Sequence, residues 1–227
     1  GSHMIRLAAI DVDGNLTDRD RLISTKAIES IRSAEKKGLT VSLLSGNVIP
    51  VVYALKIFLG INGPVFGENG GIMFDNDGSI KKFFSNEGTN KFLEEMSKRT
   101  SMRSILTNRW REASTGFDID PEDVDYVRKE AESRGFVIFY SGYSWHLMNR
   151  GEDKAFAVNK LKEMYSLEYD EILVIGDSNN DMPMFQLPVR KACPANATDN
   201  IKAVSDFVSD YSYGEEIGQI FKHFELM

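Results

Sequence analysis

Three short apolar segments of this sequence are each followed directly by a group of polar side chains. The groups are Asp11-Val12-Asp13-Gly14-Asn15, Ser45-Gly46-Asn47 and Gly176-Asp177-Ser178-Asn179-Asn180-Asp181. If the apolar segments are parallel strands, all three groups face one crevice at the carboxyl ends of the strands. Carboxylates gathered there repel one another unless a cation or a proton intervenes. Oxygen ligands without histidine or thiol favour Mg²⁺, and Mg²⁺ beside a carboxylate nucleophile suits phosphoryl transfer.

The elements that must position these groups alternate between strands and helices. Residues 5–10, 39–44 and 171–176 are compact apolar runs that predict buried strands. Amphipathic stretches between them predict helices, one beginning at Ser24 or Thr25 and another in which Pro50 occupies the first turn. Shorter strands are expected near 190–193 and 207–208, followed by a C-terminal helix. The pattern predicts an α/β fold, an open parallel sheet with helices on both faces in a Rossmann-like arrangement.

The alternation changes in the middle of the chain. A hairpin is expected around Asn76-Asp77-Gly78, and residues 85–152 then follow the order helix, strand, strand, helix, strand, strand. Asp120 is the expected cap of the second of these helices. This order predicts an α+β cap domain at residues 85–152, inserted into a catalytic core made of residues 1–84 and 153–227.

Composition excludes several classes of protein. Of the 227 residues, 42% are hydrophobic, which excludes disorder, and no apolar run is long enough to span a bilayer. The formal net charge of −7 is opposite to that expected of a nucleic-acid binder. One cysteine, Cys193, excludes an intrachain disulfide, so we expect a reducing cytoplasm. Residues 1–4 are interpreted as a tag remnant and the start methionine, which leaves two histidines, His146 and His223.

The polar groups together resemble the motifs of a known family. The Asp-Val-Asp-Gly run after an apolar strand, the Leu-Leu-Ser-Gly-Asn run at 43–47, Lys154, and Gly-Asp-Ser-Asn-Asn-Asp at 176–181 resemble the four motifs of haloacid dehalogenase-type phosphohydrolases. The four motifs occur in the family's order across the whole chain. The position of the insertion is similar to that in the branch with a large α/β cap. Within that branch, the chain most resembles archaeal phosphoglycolate phosphatases.

The resemblance implies a role for each carboxylate. Asp11 would be the nucleophile that forms an aspartyl-phosphate, and Asp13 would be the general acid and then the general base. Asp11, Asp177 and the backbone carbonyl of Asp13 would bind Mg²⁺, and Asp181 would support the metal or orient Lys154. With Asp13 protonated, the other three carboxylates, Mg²⁺ and Lys154 sum to about zero charge, so the site can admit a phosphate dianion. Without the metal the sum is −2.

The resemblance also implies the groups that bind the substrate. Ser45 would hydrogen-bond the phosphoryl group together with Gly46 and Asn47, and Lys154 would neutralise its charge. Two residues differ from the usual pattern: Asn15 stands where many relatives have threonine, and Asn47 stands where sugar-phosphatase relatives commonly have arginine. The second difference argues against a sugar phosphate. The implied substrate is a small phosphorylated metabolite, with 2-phosphoglycolate as the first candidate. We expect binding neither to nucleic acid nor to a membrane, and the sequence does not give the oligomeric state.

Other functions and other residues stay open at this stage. A sugar-phosphate phosphatase or a phosphomutase would share the first chemical step, and a receiver-like signalling module would also accept a phosphoryl group on aspartate. The run Glu68-Asn69-Gly70-Gly71 is interpreted as a turn near the crevice, and His146 as a structural residue. Arg103, Arg109 and Arg111 are candidates for a substrate carboxylate, although a solvated surface is the simpler interpretation of Arg109 and Arg111.

Overall fold

The computed structural model describes residues 4–227 and contains two β-sheets. The interpretation of residues 1–3 as part of a tag lies outside the described residues. The strands are β1 (Leu7–Asp11), β2 (Thr40–Leu44), β3 (Val65–Gly67), β4 (Ile72–Phe74), β5 (Ile80–Lys82), β6 (Arg103–Ser104), β7 (Thr115–Asp118), β8 (Phe136–Tyr140), β9 (Trp145–Asn149), β10 (Ile172–Ile175), β11 (Arg190–Cys193) and β12 (Phe207–Val208). The helices are α1 (Thr25–Lys36), α2 (Ile49–Leu59), α3 (Glu87–Ser97), α4 (Val124–Ser133), α5 (Lys154–Met164), α6 (Met182–Phe185), α7 (Asp199–Val204) and α8 (Glu216–His223).

The large sheet has the strand order β12-β11-β10-β1-β2-β3-β4-β5. All pairs from β12 to β3 are parallel, as predicted, whereas β4 and β5 form the expected hairpin and add two antiparallel strands at one edge. Strand β1 lies between β2 and β10, the strands that precede the other two polar groups. The three polar groups therefore lie next to one another at one end of the sheet.

Helices cover both faces of the large sheet because its central strands are apolar on both sides. Ala8 and Ile10 pack with residues of α1 and α8, whereas Leu7 and Ala9 pack with α5 and α7. The α/β fold with helices on both faces is thus confirmed. The amide of Ala27 donates to the Ser24 side chain at 3.2 Å, so Ser24 caps α1 as its sequence position indicated.

The small sheet lies wholly within residues 85–152, a segment called the insert below. Its order is β6-β7-β9-β8, all antiparallel, and apolar residues of α3 and α4 pack on one face of it. Asp120 occupies the N-cap position expected for the helix that begins near Pro121, but its side chain makes no capping hydrogen bond. This helix begins with a 3₁₀ turn, and Asp120 instead accepts a hydrogen bond from Arg103 at 3.3 Å. None of the helices in residues 4–227 is long and apolar enough to cross a membrane.

A buried carboxyl at the start of α8 should make stability depend on pH. Burial raises the pKa of Glu216 from 4.5 to about 8. Between these pH values the unfolded chain has released a proton that the folded state still binds, so the free energy of unfolding falls as the pH rises. We predict that Glu216→Gln reduces the fall in Tm between pH 5 and pH 8, measured by thermal unfolding. Its exposed neighbour supplies the control, Glu215→Gln, and an unchanged pH dependence in Glu216→Gln would contradict the prediction.

Candidate active site

The residues that follow β1, β2 and β10 line one cavity of about 420 Å³. Six of the eight residues predicted to carry out catalysis or to bind the substrate or the metal lie on its wall: Asp11, Asp13, Gly46, Asn47, Lys154 and Asp177. Two others, Ser45 and Asp181, are fully buried behind the wall. This placement follows from the strand order, because β1 is flanked by the two strands whose loops carry the other polar groups.

A buried lysine joins the carboxylates of the cavity floor. Lys154 Nζ lies 3.1 Å from Asp11 Oδ1 and 2.7 Å from Asp181 Oδ1, and all three side chains are almost completely buried. One oxygen each of Asp11, Asp177 and Asp181 lies within 4.8 Å of the others. Three ionised carboxylates and one ammonium sum to −2. The cluster therefore favours binding of a cation, and its all-oxygen ligands suit a hard one.

The pKa values of these groups are shifted by their burial and by the charges of their neighbours. Burial and then Asp181 raise the pKa of Asp11 well above its ordinary value, and the same two causes raise the pKa of Asp177 to about 7. Burial alone would raise the pKa of Asp181, but Lys154 lowers it. Burial alone would lower the pKa of Lys154, but Asp11 and Asp181 raise it. Lys154 and Asp181 therefore form the fixed ion pair of the site.

Asp181 also holds the backbone that carries Asp177. Its Oδ2 accepts hydrogen bonds from the amides of Asp177 at 2.9 Å and Ser178 at 3.3 Å. Two glycines make this packing possible. A Cβ on Gly176 would lie 2.6 Å from Asp181 Cγ, and a Cβ on Gly14, whose φ is +82°, would lie 2.4 Å from Asp177 Oδ2. Both positions need glycine because any side chain would displace a carboxylate.

Ser45 is held by the second polar group itself. Its Oγ accepts hydrogen bonds from the backbone amide of Asn47 at 3.0 Å and from Asn47 Nδ2 at 3.2 Å. The hydroxyl still has its own proton to donate. Because Ser45 lies behind the cavity wall while Gly46 and Asn47 line the cavity, the contact of Ser45 with a phosphoryl group stays a prediction.

The insert supplies a cationic wall that sequence reasoning did not resolve. Arg111 lines the cavity and is only 8% exposed, so the simpler interpretation of it as a solvated residue is wrong. Its guanidinium donates to Thr107 Oγ1 at 3.4 Å and to Ser114 Oγ at 3.3 Å. The other two candidate arginines do not line the cavity, since Arg103 pairs with Asp120 and Arg109 lies over the Trp110 ring.

His146 also lines the cavity and is buried. Burial and, to a smaller extent, the positive charges of Arg111 and Lys154 together lower the pKa of His146 to about 3. Its ring stacks on Phe139 with centroids 4.9 Å apart, and its Nδ1 lies 3.4 Å from Asn69 Nδ2. With Asn69 donating to Nδ1, the proton of the neutral imidazole is on Nε2. The interpretation of His146 as a structural residue thus did not include its position on the cavity wall.

Core and insert also meet at the cavity through Arg21 and Tyr143, a contact that no sequence pattern predicted. Arg21 follows β1 in a left-handed backbone conformation, with φ of +64°. Its guanidinium lies 3.6 Å from the centroid of the Tyr143 ring, which belongs to the loop between β8 and β9. Both residues line the cavity. A cation–π contact of this kind links the two sheets across the opening.

Comparisons with known proteins agree with this fold. Residues 8–110 and 111–216 match the family of haloacid dehalogenase-like hydrolases. A protein from Thermoplasma volcanium named phosphoglycolate phosphatase is 80% identical over 224 residues, 99% of this chain and 100% of that protein. One of the same name from Picrophilus torridus is 47% identical, over 99% of this chain and 93% of that protein.

Solved structures show the same fold at low sequence identity. A haloacid dehalogenase-like hydrolase from Bacteroides thetaiotaomicron superposes with a TM-score of 0.81 at 20% identity, covering 96% of this chain and 99% of the other. The fold and site define a hydrolase with a carboxylate-rich active site. The chain belongs to the haloacid dehalogenase-like hydrolases. Phosphatases of this family generally use a metal ion, and the cluster around Asp11 supplies suitable ligands.

The buried lysine gives a direct test of the geometry. We predict that Lys154→Met lowers the free energy of unfolding by about 3–5 kcal/mol, because it leaves two buried carboxylates without their counter-charge. Denaturant unfolding measures the change. Lys160→Met on the same helix is the control, since Lys160 is more exposed and its ion pair with the exposed Glu163 is long, with 3.7 Å between nitrogen and oxygen. A Lys154→Met protein as stable as the wild type would show that the three charges are not held as described.

Proposed function

We propose that the chain is a Mg²⁺-dependent phosphomonoester hydrolase that acts through an aspartyl-phosphate on 2-phosphoglycolate. The observation that carries the proposal is the placement of Asp11 and Asp13 beside Lys154 and Asp177 in one small cavity. The family supports hydrolysis, and the names of the two close relatives support the substrate. A volume of about 420 Å³ is near the lower end of the range for small-molecule sites.

Asp11 and Asp13 take the two chemical roles. In the first step Asp11 Oδ attacks phosphorus, the bond from phosphorus to the substrate oxygen breaks, and Asp13 gives its proton to that leaving oxygen. In the second step Asp13 takes a proton from a water molecule, whose oxygen attacks the phosphorus and releases Asp11 and phosphate. Burial raises the pKa of Asp13, which suits a carboxyl that must begin the cycle with its proton.

The remaining core residues bind the phosphoryl group and the metal. Lys154 offsets the charge of the phosphoryl oxygens, while Ser45, Gly46 and Asn47 donate hydrogen bonds to them. Asp11, Asp177 and the carbonyl of Asp13 would hold Mg²⁺, which supplies further positive charge at the same oxygens. Both oxygens of Asp181 already accept from Lys154 and the backbone, which favours a supporting role for it at the metal site.

We further propose that the insert, residues 85–152, acts as a cap domain over the core made of residues 1–84 and 153–227. Contacts such as Arg21 with Tyr143 span the two sheets at the cavity. A cover of this kind excludes bulk water and leaves room for only a small leaving group. A receiver-like signalling module is less well supported, because here the Asp-x-Asp pair ends the first strand and an insert of this size adjoins the acidic residues.

The proposal is tested by phosphate release from a set of phosphorylated metabolites. After treatment with EDTA the protein should be inactive, Mg²⁺ should restore activity, and Ca²⁺ should restore it poorly because its coordination is larger and less regular. The kcat/KM for 2-phosphoglycolate should exceed that for glucose 6-phosphate and AMP. Asp11→Asn, checked for folding by circular dichroism, should have no turnover. Full activity after chelation, or a hexose phosphate as the better substrate, would contradict the proposal at the metal or at the substrate.

The role of Asp13 predicts a dependence on the leaving group. For Asp13→Asn, kcat/KM on 2-phosphoglycolate should fall by about 10²–10⁴-fold, because an alkoxide needs a proton to leave. On 4-nitrophenyl phosphate the loss should be much smaller, because nitrophenolate leaves without one. Steady-state kinetics of both substrates with wild type and variant provide the comparison. Equal losses on the two would remove Asp13 from this role.

Arg111 predicts selectivity for a carboxylate. Because the planar guanidinium can hold both oxygens of a carboxylate, Arg111→Lys should lower kcat/KM for 2-phosphoglycolate by roughly tenfold or more. Ethyl phosphate, which has the same size but no carboxylate, should lose little. The control is Arg109→Lys, an arginine of the same segment that is exposed and away from the cavity. Equal effects on both substrates would exclude Arg111 as the carboxylate-binding group.

A further inference from the structure

The turn after β3 holds two residues other than glycine in the left-handed region of backbone conformation. Glu68 and Asn69 have φ of +50° and +60°, and both side chains are buried. Such conformations cost energy for residues other than glycine, and they persist where surrounding contacts determine them. The contacts of the buried Glu68 side chain therefore help to hold this turn.

The Glu68 carboxylate binds a segment of the insert that is more than forty residues away in sequence. It accepts hydrogen bonds from three consecutive backbone amides, those of Glu112 at 3.0 Å, Ala113 at 3.1 Å and Ser114 at 2.9 Å. The Ser114 hydroxyl donates a fourth bond at 2.7 Å. Hydrogen bonds to a buried carboxylate are among the strong ones in proteins. Glu68 thus fixes residues 112–114 of the insert to the core.

Arg111 immediately precedes this fixed segment and is linked to it through a side chain. Arg111 Nη1 donates to Ser114 Oγ at 3.3 Å, while the same hydroxyl donates its own proton to Glu68. A single hydroxyl therefore connects the Glu68 carboxylate to the guanidinium at the cavity wall. Burial lowers the pKa of Arg111, and the negative charge of Glu68 partly offsets that effect.

We propose that Glu68 is a positioning residue that sets the orientation of Arg111 toward the substrate carboxylate. The inference rests on the proposed function, in which Arg111 binds that carboxylate. A guanidinium can form two parallel hydrogen bonds only when its plane is aligned with the carboxylate, so a small rotation loses much of the interaction. The backbone bonds to residues 112–114 and the Ser114 hydroxyl limit that rotation.

Glu68→Gln, Ser114→Ala and the control Glu112→Gln test the inference. Glu68→Gln keeps the shape of the side chain but faces backbone donors with an amide donor, and Ser114→Ala removes only the connecting hydroxyl. Glu112→Gln removes one charge from the same segment at an exposed side chain. For the first two, kcat/KM on 2-phosphoglycolate should fall roughly tenfold, mostly through a higher KM, with less than about a twofold change on ethyl phosphate. The control should match the wild type on both substrates.

A double-mutant cycle separates positioning from a general loss of structure. In the Arg111→Lys background, Glu68→Gln should add little further loss on 2-phosphoglycolate, because the group it positions is already gone. The inference would be overturned if the two substitutions lowered kcat/KM by factors that multiply in the double variant, or if kcat/KM fell equally on the two substrates. If Glu68→Gln does not fold, Ser114→Ala decides the question by the same measurements. Failure of the proposed function is distinct, since it would appear in the wild type as no preference for 2-phosphoglycolate over ethyl phosphate.

Discussion

The ion pairs of Lys154 are the interaction on which the rest of the site depends. An ammonium and two carboxylates are buried together at the start of α5, the end of β1 and the turn after β10. Moving these charges out of water costs free energy, and their mutual attraction offsets that cost only when all three groups are present and close together. Three features bring these groups together: the strand order, the position of Lys154 as the first residue of α5, and the glycines Gly14 and Gly176 beside the aspartates.

This arrangement gives the cavity two walls of opposite character. The core wall carries an excess of carboxylate and favours a cation, whereas the insert wall carries Arg111 and the neutral His146. Under the proposed function this polarity would orient a substrate with a phosphate at one end and a carboxylate at the other, because Mg²⁺ and Lys154 would attract the phosphate. In that proposal the selectivity comes from one arginine of the insert on the cavity wall, and it needs no general basic surface in a chain of net charge −7.

The sequence allowed the core to be predicted well because its signals are local. Apolar runs, the Ser24 cap and the aspartates at strand ends each depend on neighbouring residues, and their meeting follows from strand order. The insert wall was less predictable. Arg111 resembles a surface residue by its neighbours, and its burial depends on the docking of the insert against Glu68. The missing side-chain cap at Asp120 has the same origin, since Arg103 of β6 forms a hydrogen bond with that carboxylate.

The turn at Glu68 and Asn69 shows how one core loop can control both insert groups. Glu68 binds residues 112–114, next to Arg111, and Asn69 contacts the ring of His146. The same turn is held to the second polar group, because the amide of Glu68 donates to the Asn47 carbonyl and the amide of Asn69 to the Ser45 carbonyl. Two backbone hydrogen bonds therefore join the turn to the loop at Ser45 and Asn47, and the side chains of Glu68 and Asn69 join it to the insert. These contacts on both sides keep Glu68 and Asn69 in the left-handed region, so the positions of residues 112–114 and His146 are coupled through this turn to the loop that carries Ser45 and Asn47.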